Sequence, residues 1–292
     1  MKSKYLFPTW GSIVGYLLAI PGFFLGCLYH FNHFSIPGFG FKLREKDHLF
    51  EKAFENFTNE LAIFMVVIGL LLIAFSKGKK EDELSSKIRL NSLYWGIIAY
   101  YTIYILAFAI STFLTEIPFI SQNYLELNIF TPLLIFIARF NYLKYVKNDI
   151  YLVDRPFLVA NKPTKKLGIA LTVVCLALLI TCVITDPDND ALDGLFYIFY
   201  LLFIVGLLLW AFSKYKNEDE RVSQQRLESL QLAIYFNYSV LLGATLLFYS
   251  INFLAALTIA NFSLLLFFVM RMEYVNYKNT RILNTFEGEI GS

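Results

Sequence analysis

The chain is poor in charge, in cysteine and in histidine. Asp, Glu, Lys and Arg make up only 16% of its 292 residues, against the ~25% usual in soluble domains. So little charge excludes a disordered chain and a charge-laced coiled coil. Three cysteines, Cys27, Cys175 and Cys182, are too few for the disulfide framework of a small secreted module, and each reads as a buried apolar packer. Three histidines, all between positions 30 and 48, leave little for a metal centre. There is no nucleotide-binding glycine loop, no Gly-x-Ser-x-Gly elbow and no His-Glu-x-x-His. No nucleophile or paired acid/base constellation is visible, so the chain reads as a non-enzyme with no cofactor and no metal. Basic residues hug the ends of apolar runs, which argues for contact with acidic lipid and against nucleic acid.

What fills the chain instead is apolar. Hydrophobic residues reach 57% and aromatics 18%, with 30 Phe and 19 Tyr. A soluble fold of this size has too little polar surface to cover such a content. A membrane helix needs about 20 apolar residues. Eight such runs are read: Ile13–Phe31, Leu61–Phe75, Leu93–Phe113, Leu125–Leu143, Leu167–Ile184, Leu195–Phe212, Leu230–Ser250 and Phe253–Met270. The last two are joined by almost no loop and read as a tight helical hairpin. The expected fold class is therefore all-α, a polytopic transmembrane helical bundle in contact with the lipid bilayer.

Charge placement orients it. If both termini are cytoplasmic, 21 of the 25 basic residues fall on the cytoplasmic side, and only Lys42, Arg44, Lys46 and Lys52 lie outside. That is a strong positive-inside bias. The outer segment 186–193 is wholly acidic among its charges, in agreement. Tyr142, Tyr145, Tyr274 and Tyr277 fit an interfacial aromatic belt. Phe24-Leu25-Gly26-Cys27 faintly matches a lipoprotein cleavage box, but Phe replaces the usual Leu and apolar Leu28-Tyr29 follows, so Cys27 is read as part of the first span.

The strongest signal is an internal duplication. Residues 68–93 and 205–230 match at a fixed offset of 137, with 17 of 26 positions identical. The common pattern is G-L-L-L-x-A-F-S-K-x-K-x-E-D-E-x-x-S-x-x-R-L-x-S-L. It continues into the next span, where Tyr100 aligns with Asn237 and Tyr101 with Tyr238. At an offset of 132, Arg139, Tyr142 and Tyr145 align with Arg271, Tyr274 and Tyr277. Gly15-Tyr16-Leu17-Leu18-Ala19 loosely parallels Gly168-Ile169-Ala170-Leu171. Four spans return the chain to the side it left, so the expectation is two parallel repeats about an axis along the membrane normal. The first four-helix repeat is placed at 1–148, a linker at 149–166 and the second repeat at 167–292. The stretch 144–166, with Pro156 and Pro163 and short apolar runs, reads as an interfacial segment.

The duplicated block has a plain electrostatic logic. Lys77 and Lys214 follow a helix C-terminus, where a cation suits the dipole. Glu81, Asp82 and Glu83, like Glu218, Asp219 and Glu220, open the following helix, where anions suit its start. Asp82 and Arg89 are seven apart, hence on one face, as are Asp219 and Arg226. The block reads either as a capped turn or as a docking surface for a cytoplasmic or membrane protein partner, the surface including Arg139 and Arg271. An Arg near the bilayer centre costs roughly 2.5–3.5 kcal/mol on insertion scales. Arg139 and Arg271 lie near span ends, where they either snorkel to the interface or pair with the acidic clusters opening spans three and seven.

Other candidates are weaker. His30 and His33 have metal-pair spacing on a helix, with Glu45, Asp47, His48 and Glu51 nearby in sequence. Asp186-Pro187-Asp188-Asn189-Asp190-Ala191-Leu192-Asp193 resembles the opening of a calcium loop but lacks its Gly and closing Glu, and helix capping explains it better. The span centres carry no carboxylate; Glu116 and Glu126 sit near outer ends. Mid-span polarity is confined to groups such as Tyr100, Tyr101, Thr102, Asn237, Tyr238, Ser239 and Asn261. Tyr100, Tyr101, Asn237 and Tyr238 are candidates to line a pocket between the repeats, or to bond helix to helix.

The AFSKxKxEDE…RLxSL block, followed by aromatic spans ending in Arg-x-x-Tyr-x-x-Tyr, resembles a group of bacterial multi-pass membrane proteins of uncharacterised activity. The similarity covers about residues 60–145 and 197–279. It implies a bacterial inner-membrane location and no particular reaction. The functional expectation is a sensor, regulator or scaffold presenting duplicated cytoplasmic docking loops. The alternative is a small-solute transporter or channel with a site between the repeats.

Overall fold

In hydrocarbon every backbone N–H and C=O must be satisfied from within the segment, so apolar runs of this length become helices. The computed structural model describes residues 5–41, 55–78, 82–114, 129–146, 158–185, 190–215, 219–248 and 250–290. Among these are eight α-helices: α1 Gly11–Asn32, α2 Thr58–Phe75, α3 Glu83–Ala109, α4 Thr131–Asn141, α5 Thr164–Thr185, α6 Asp190–Ala211, α7 Glu220–Leu247 and α8 Ser250–Ile290. α3 and α4 each run on into a five-residue π-helical turn, Ile110–Leu114 and Tyr142–Val146. Seven of the eight are long and apolar enough to cross a membrane. The exception is α4, with 11 residues. Positions 125–128 of the expected fourth span lie outside the described residues. The chain is thus an all-α, multi-pass membrane protein.

Helix starts differ from the apolar runs for a physical reason. α3 and α7 begin well before their apolar cores, because the acidic residues that open them supply caps and favourable first-turn charge. α8 extends far past Met270: no Pro or Gly interrupts the chain between Arg271 and Phe286, so nothing stops the helix where the lipid-soluble run ends.

The chain divides into two compact units. The first comprises Met1–Pro156 and Ile234–Asn261; the second comprises Phe157–Ala233 and Phe262–Ser292. α7 and α8 therefore each contribute to both.

In the first unit α1 packs on α2 through glycine. A Cβ on Gly69 would fall 2.6 Å from the Ala19 nitrogen and 2.7 Å from the Gly15 carbonyl oxygen. Only glycine permits that backbone approach, the usual device where lipid supplies no hydrophobic drive between helices. Ahead of α1, Phe7 pairs with the chain leaving α2: its N–H donates to the Phe75 carbonyl and its own carbonyl accepts from Lys77 N–H, both at 2.9 Å. Phe75 stacks on Phe136 of α4 at 5.5 Å, and Tyr235 of α7 meets Phe75 edge-on at 5.0 Å. A two-residue antiparallel pair joins Gly40 to Asn56 and Phe41 to Glu55.

Two of these contacts, the glycine-mediated helix packing and the backbone bridge, recur in the second unit with other residues. α5 lies on α6, where a Cβ on Gly168 would come within 2.6 Å of the Trp210 nitrogen and one on Gly206 within 2.9 Å of the Thr172 nitrogen. Val159 pairs with the chain leaving α6, donating to the Phe212 carbonyl at 3.1 Å and accepting from Lys214 N–H at 2.9 Å. Gly69 and Gly206, Phe75 and Phe212, and Lys77 and Lys214 are all 137 apart.

Three readings of single residues need correction. Cys27 is exposed on α1, whereas Cys175 is buried and Cys182 is intermediate. A membrane helix turns apolar side chains outward to lipid, so apolar character did not imply burial. His30 and His33 do not share a helix face, because α1 ends at Asn32 and His33 takes a left-handed conformation at φ 51°. Among the described residues no group of three or more His, Cys, Asp and Glu is placed to hold a metal. His48, Glu45, Asp47, Glu51, Glu116, Glu126 and the loop 186–189 lie outside the described residues.

Candidate functional site: the duplicated helix junctions

Each copy of the repeated block forms the junction between a helix that ends and one that begins. α2 stops at Phe75, and Ser76 is already extended (φ −74°, ψ 146°). The last carbonyls of α2 have no partner within the helix. Arg89, two turns into α3, reaches back to supply one: its Nη1 donates to the Ala74 carbonyl at 2.7 Å and its Nη2 points to the Ser76 carbonyl at 3.5 Å. The guanidinium also lies 4.9 Å from the centre of the Phe140 ring. In the second unit Arg226 does the same, donating to Ala211 O at 2.9 Å and Ser213 O at 2.8 Å. Tyr215 takes the place of the aromatic platform, with the guanidinium 5.3 Å from its ring centre.

Both arginines are therefore buried, at 1% and 2% exposure. Sequence spacing placed them on one face with the acidic residues and suggested a surface for a partner. The structure turns them inward, because uncapped carbonyls at the end of the preceding helix attract a five-donor cation more strongly than solvent does.

The acidic residues stay outside. Asp82 caps α3, its carboxylate accepting the Ser85 N–H at 2.8 Å, and Asp219 caps α7 through the Val222 N–H at 2.8 Å. The Ser85 N–H holds the Asp82 carboxyl below its ordinary range. Glu83 is exposed and pairs with Lys87 one turn on at 3.1 Å. Glu220 is also exposed. Glu81 and Glu218 lie outside the described residues.

Arg139 and Arg271 correct the expected acid pairing. Arg139 donates to Asn91 Oδ1 at 3.0 Å through Nη2 and at 3.3 Å through Nε, and lies 5.5 Å from the Trp95 ring centre. Arg271 Nε donates to Ser229 Oγ at 3.3 Å. Both contacts fall about two turns beyond the acidic starts of α3 and α7. Arg139 and Arg271 are half-buried and lie level with Asn91 and Ser229, not with the acidic helix starts, so neutral acceptors are the ones within reach.

One junction residue was not anticipated. Glu273, on α8, accepts from Lys165 Nζ at 2.6 Å, Trp210 Nε1 at 3.0 Å and the Tyr215 hydroxyl at 3.1 Å. The available signal was that Glu273 is the sole acidic residue between Phe253 and Phe286.

Five of the seven polar mid-span residues gather inside the first unit, whereas Thr102 and Ser239 are exposed. Tyr100, Tyr101, Asn237, Tyr238 and Asn261 are all buried. The Tyr100 hydroxyl donates to Asn261 Oδ1 and the Tyr101 hydroxyl to the Asn261 carbonyl, each at 2.6 Å. Asn261 Nδ2 is buried and donates to no described group.

Eight helices among the described residues, seven of them able to span, and junctions stapled by buried arginines define a multi-pass α-helical membrane protein. No protein-family model, curated protein or solved structure matches the chain.

Proposed function

We propose that the chain is a non-enzymatic sensor, regulator or scaffold of a bacterial inner membrane, built as two parallel four-helix repeats. Both termini and both junctions face the cytoplasm in this reading. The repeats occupy 1–148 and 167–292 with 149–166 as linker, and the expected fourth span, Leu125–Leu143, includes α4. Support comes from the matched sequence blocks, from junction contacts recurring at the same spacing, and from 21 of 25 basic residues on one side. The resemblance to bacterial multi-pass proteins agrees.

The observation that carries the docking role is the division of labour at each junction. Arg89 and Arg226 are buried and rigidify the turn, while Asp82, Glu83, Asp219 and Glu220 are held exposed on it. A buried staple presenting two similar acidic faces is suited to a partner with basic side chains. The test uses Glu83→Gln with Glu220→Gln, which spare the caps. A partner that crosslinks to the wild-type chain in native membranes should be lost from the double variant at unchanged thermal stability. Retention of every crosslink in the double variant would count against docking there.

A second reading, a small-solute transporter or channel, is favoured by one observation: the buried Tyr100–Asn261–Tyr101 cluster with its undonated Asn261 Nδ2. In that reading Asn237 and Tyr238 extend the polar path. Solute flux into vesicles that falls in Tyr100→Phe would support it, and flux unaffected by the change would argue for helix-to-helix bonding alone.

A further inference from the structure

The two junctions are alike in frame and unlike in filling. In the second unit the space beside Arg226 is closed by a tethered anion: the Glu273 carboxylate, held by Lys165, Trp210 and Tyr215. Lys165 also lies 4.3 Å from the Tyr215 ring centre. In the first unit the matching positions hold smaller or neutral residues. Asn141 stands where the second unit has Glu273, Gly78 where it has Tyr215, Ile73 where it has Trp210, and Ser12 where it has Lys165. The registers are those of the Arg139/Arg271 match, the duplicated block and the Gly15/Gly168 helix contact.

These four differences remove both the carboxylate and the bulk, and a cavity of about 350 Å³ lies there. It is lined by Arg89, Lys77 and Lys144, with Ser12, Ser76 and Asn141 as further polar groups. Arg89 is almost fully buried; Lys77 is exposed and Lys144 half-buried, 5.3 Å from the Phe140 ring centre. No described lining residue is acidic. Asp82 acts on Lys144 electrostatically, but it caps α3 and does not line the cavity. Three cations around a cavity favour an anion, and burial of one of them strengthens the attraction. Ile73, Ile137 and Phe140 form an apolar wall beside the polar end.

We infer that the first junction is a binding site for a phosphate oxyanion carried on an apolar group, the headgroup of an anionic membrane phospholipid. The phosphate takes the position that the Glu273 carboxylate fills in the second unit. Lys77 and Lys144 face it from the open side, Arg89 sets the positive field from within, and an acyl chain follows the Ile73–Ile137 wall out to the bilayer. The site goes beyond the docking role and does not depend on it.

The experiment measures lipid binding to the purified full-length chain by native mass spectrometry, with phosphatidylglycerol, phosphatidylcholine and inorganic phosphate as separate probes. Phosphatidylglycerol should bind the wild type at least about tenfold more tightly than phosphatidylcholine, a difference of about 1.4 kcal/mol. Asn141→Glu, which supplies the carboxylate found in the second unit, should abolish that preference while leaving the thermal midpoint unchanged or raised. Lys144→Gln, at a half-buried position, should weaken it severalfold without unfolding. Saturable binding of inorganic phosphate, lost in Asn141→Glu, would assign the same oxyanion chemistry to a free source. Equal phosphatidylglycerol binding by the wild type and both variants, or binding of neither phosphate probe, would overturn the site. Partner crosslinking through Glu83 and Glu220 is read out separately, so the two proposals can fail independently.

Discussion

A buried arginine in a membrane protein is costly unless its donors are used. Arg226 uses them on two carbonyls that a terminating helix leaves bare, Ala211 O and Ser213 O. A lysine has a single ammonium and cannot reproduce the fork geometry. Arg226→Lys is therefore expected to lower stability by about 1.5–3 kcal/mol, the range for a hydrogen bond to a charged group. A denaturation series in mild detergent checks it, and an unchanged midpoint would show that the two carbonyls find other donors. The duplication marks Arg89 and Arg226 in the sequence, but the one-face reading from their seven-residue spacing fails, since Asp82 and Asp219 are exposed at the helix starts while both arginines are buried. Their direction was not legible. Whether such a side chain turns outward depends on where the preceding chain bends back, and here Phe7 and Val159 pin that chain from far away in sequence. Glu273 escaped for the same reason: its three partners come from α5, α6 and the chain just beyond α6.

At the scale of elements, hydropathy located the helices well, because in lipid an apolar run of sufficient length has one conformational solution. Ends were less legible. The apolar run of the last span stops at Met270, yet α8 continues to Ile290. Contacts on the second unit help to hold that extension: Arg221 Nη2 donates to Asn279 Oδ1 at 3.1 Å and Asn279 Nδ2 to Gln225 Oε1 at 3.2 Å. The loose glycine parallel between the first and fifth spans gains meaning only from packing, since Gly15 and Gly168 each face a glycine of the next helix. The closeness of α1 and α2 makes a sharp prediction. Gly69→Ala would set a methyl 2.6 Å from the Ala19 nitrogen, where backbone and not a flexible side chain must move. Overpacking of this kind typically costs about 1–3 kcal/mol. A lowered melting temperature is expected for Gly69→Ala. The nearby α1 position Leu17 is exposed, and Leu17→Ala should leave the midpoint nearly unchanged.

At the scale of the whole molecule, membrane residence followed from composition alone, since 57% hydrophobic residues cannot be housed in a soluble core of this size. The sharing of α7 and α8 between the two compact units had no sequence signal, because hydropathy describes each helix against lipid and says nothing about which neighbours it chooses. Topology is the molecular-scale property most open to test. A reporter active only outside the cytoplasm should be inactive when fused after Ser292 and active when inserted in the acidic segment near Asp188. The reverse pattern would invert the charge-based orientation.

Glu273 has a further consequence. A group joined to its own receptor by the backbone is present at a fixed effective concentration, so dilution, lipid composition and supply do not change its occupancy. The second junction is in this sense a permanently loaded copy. In the proposed lipid site the first junction lacks that tether, so its anion has to come from outside the chain and its occupancy follows the lipid composition of the membrane.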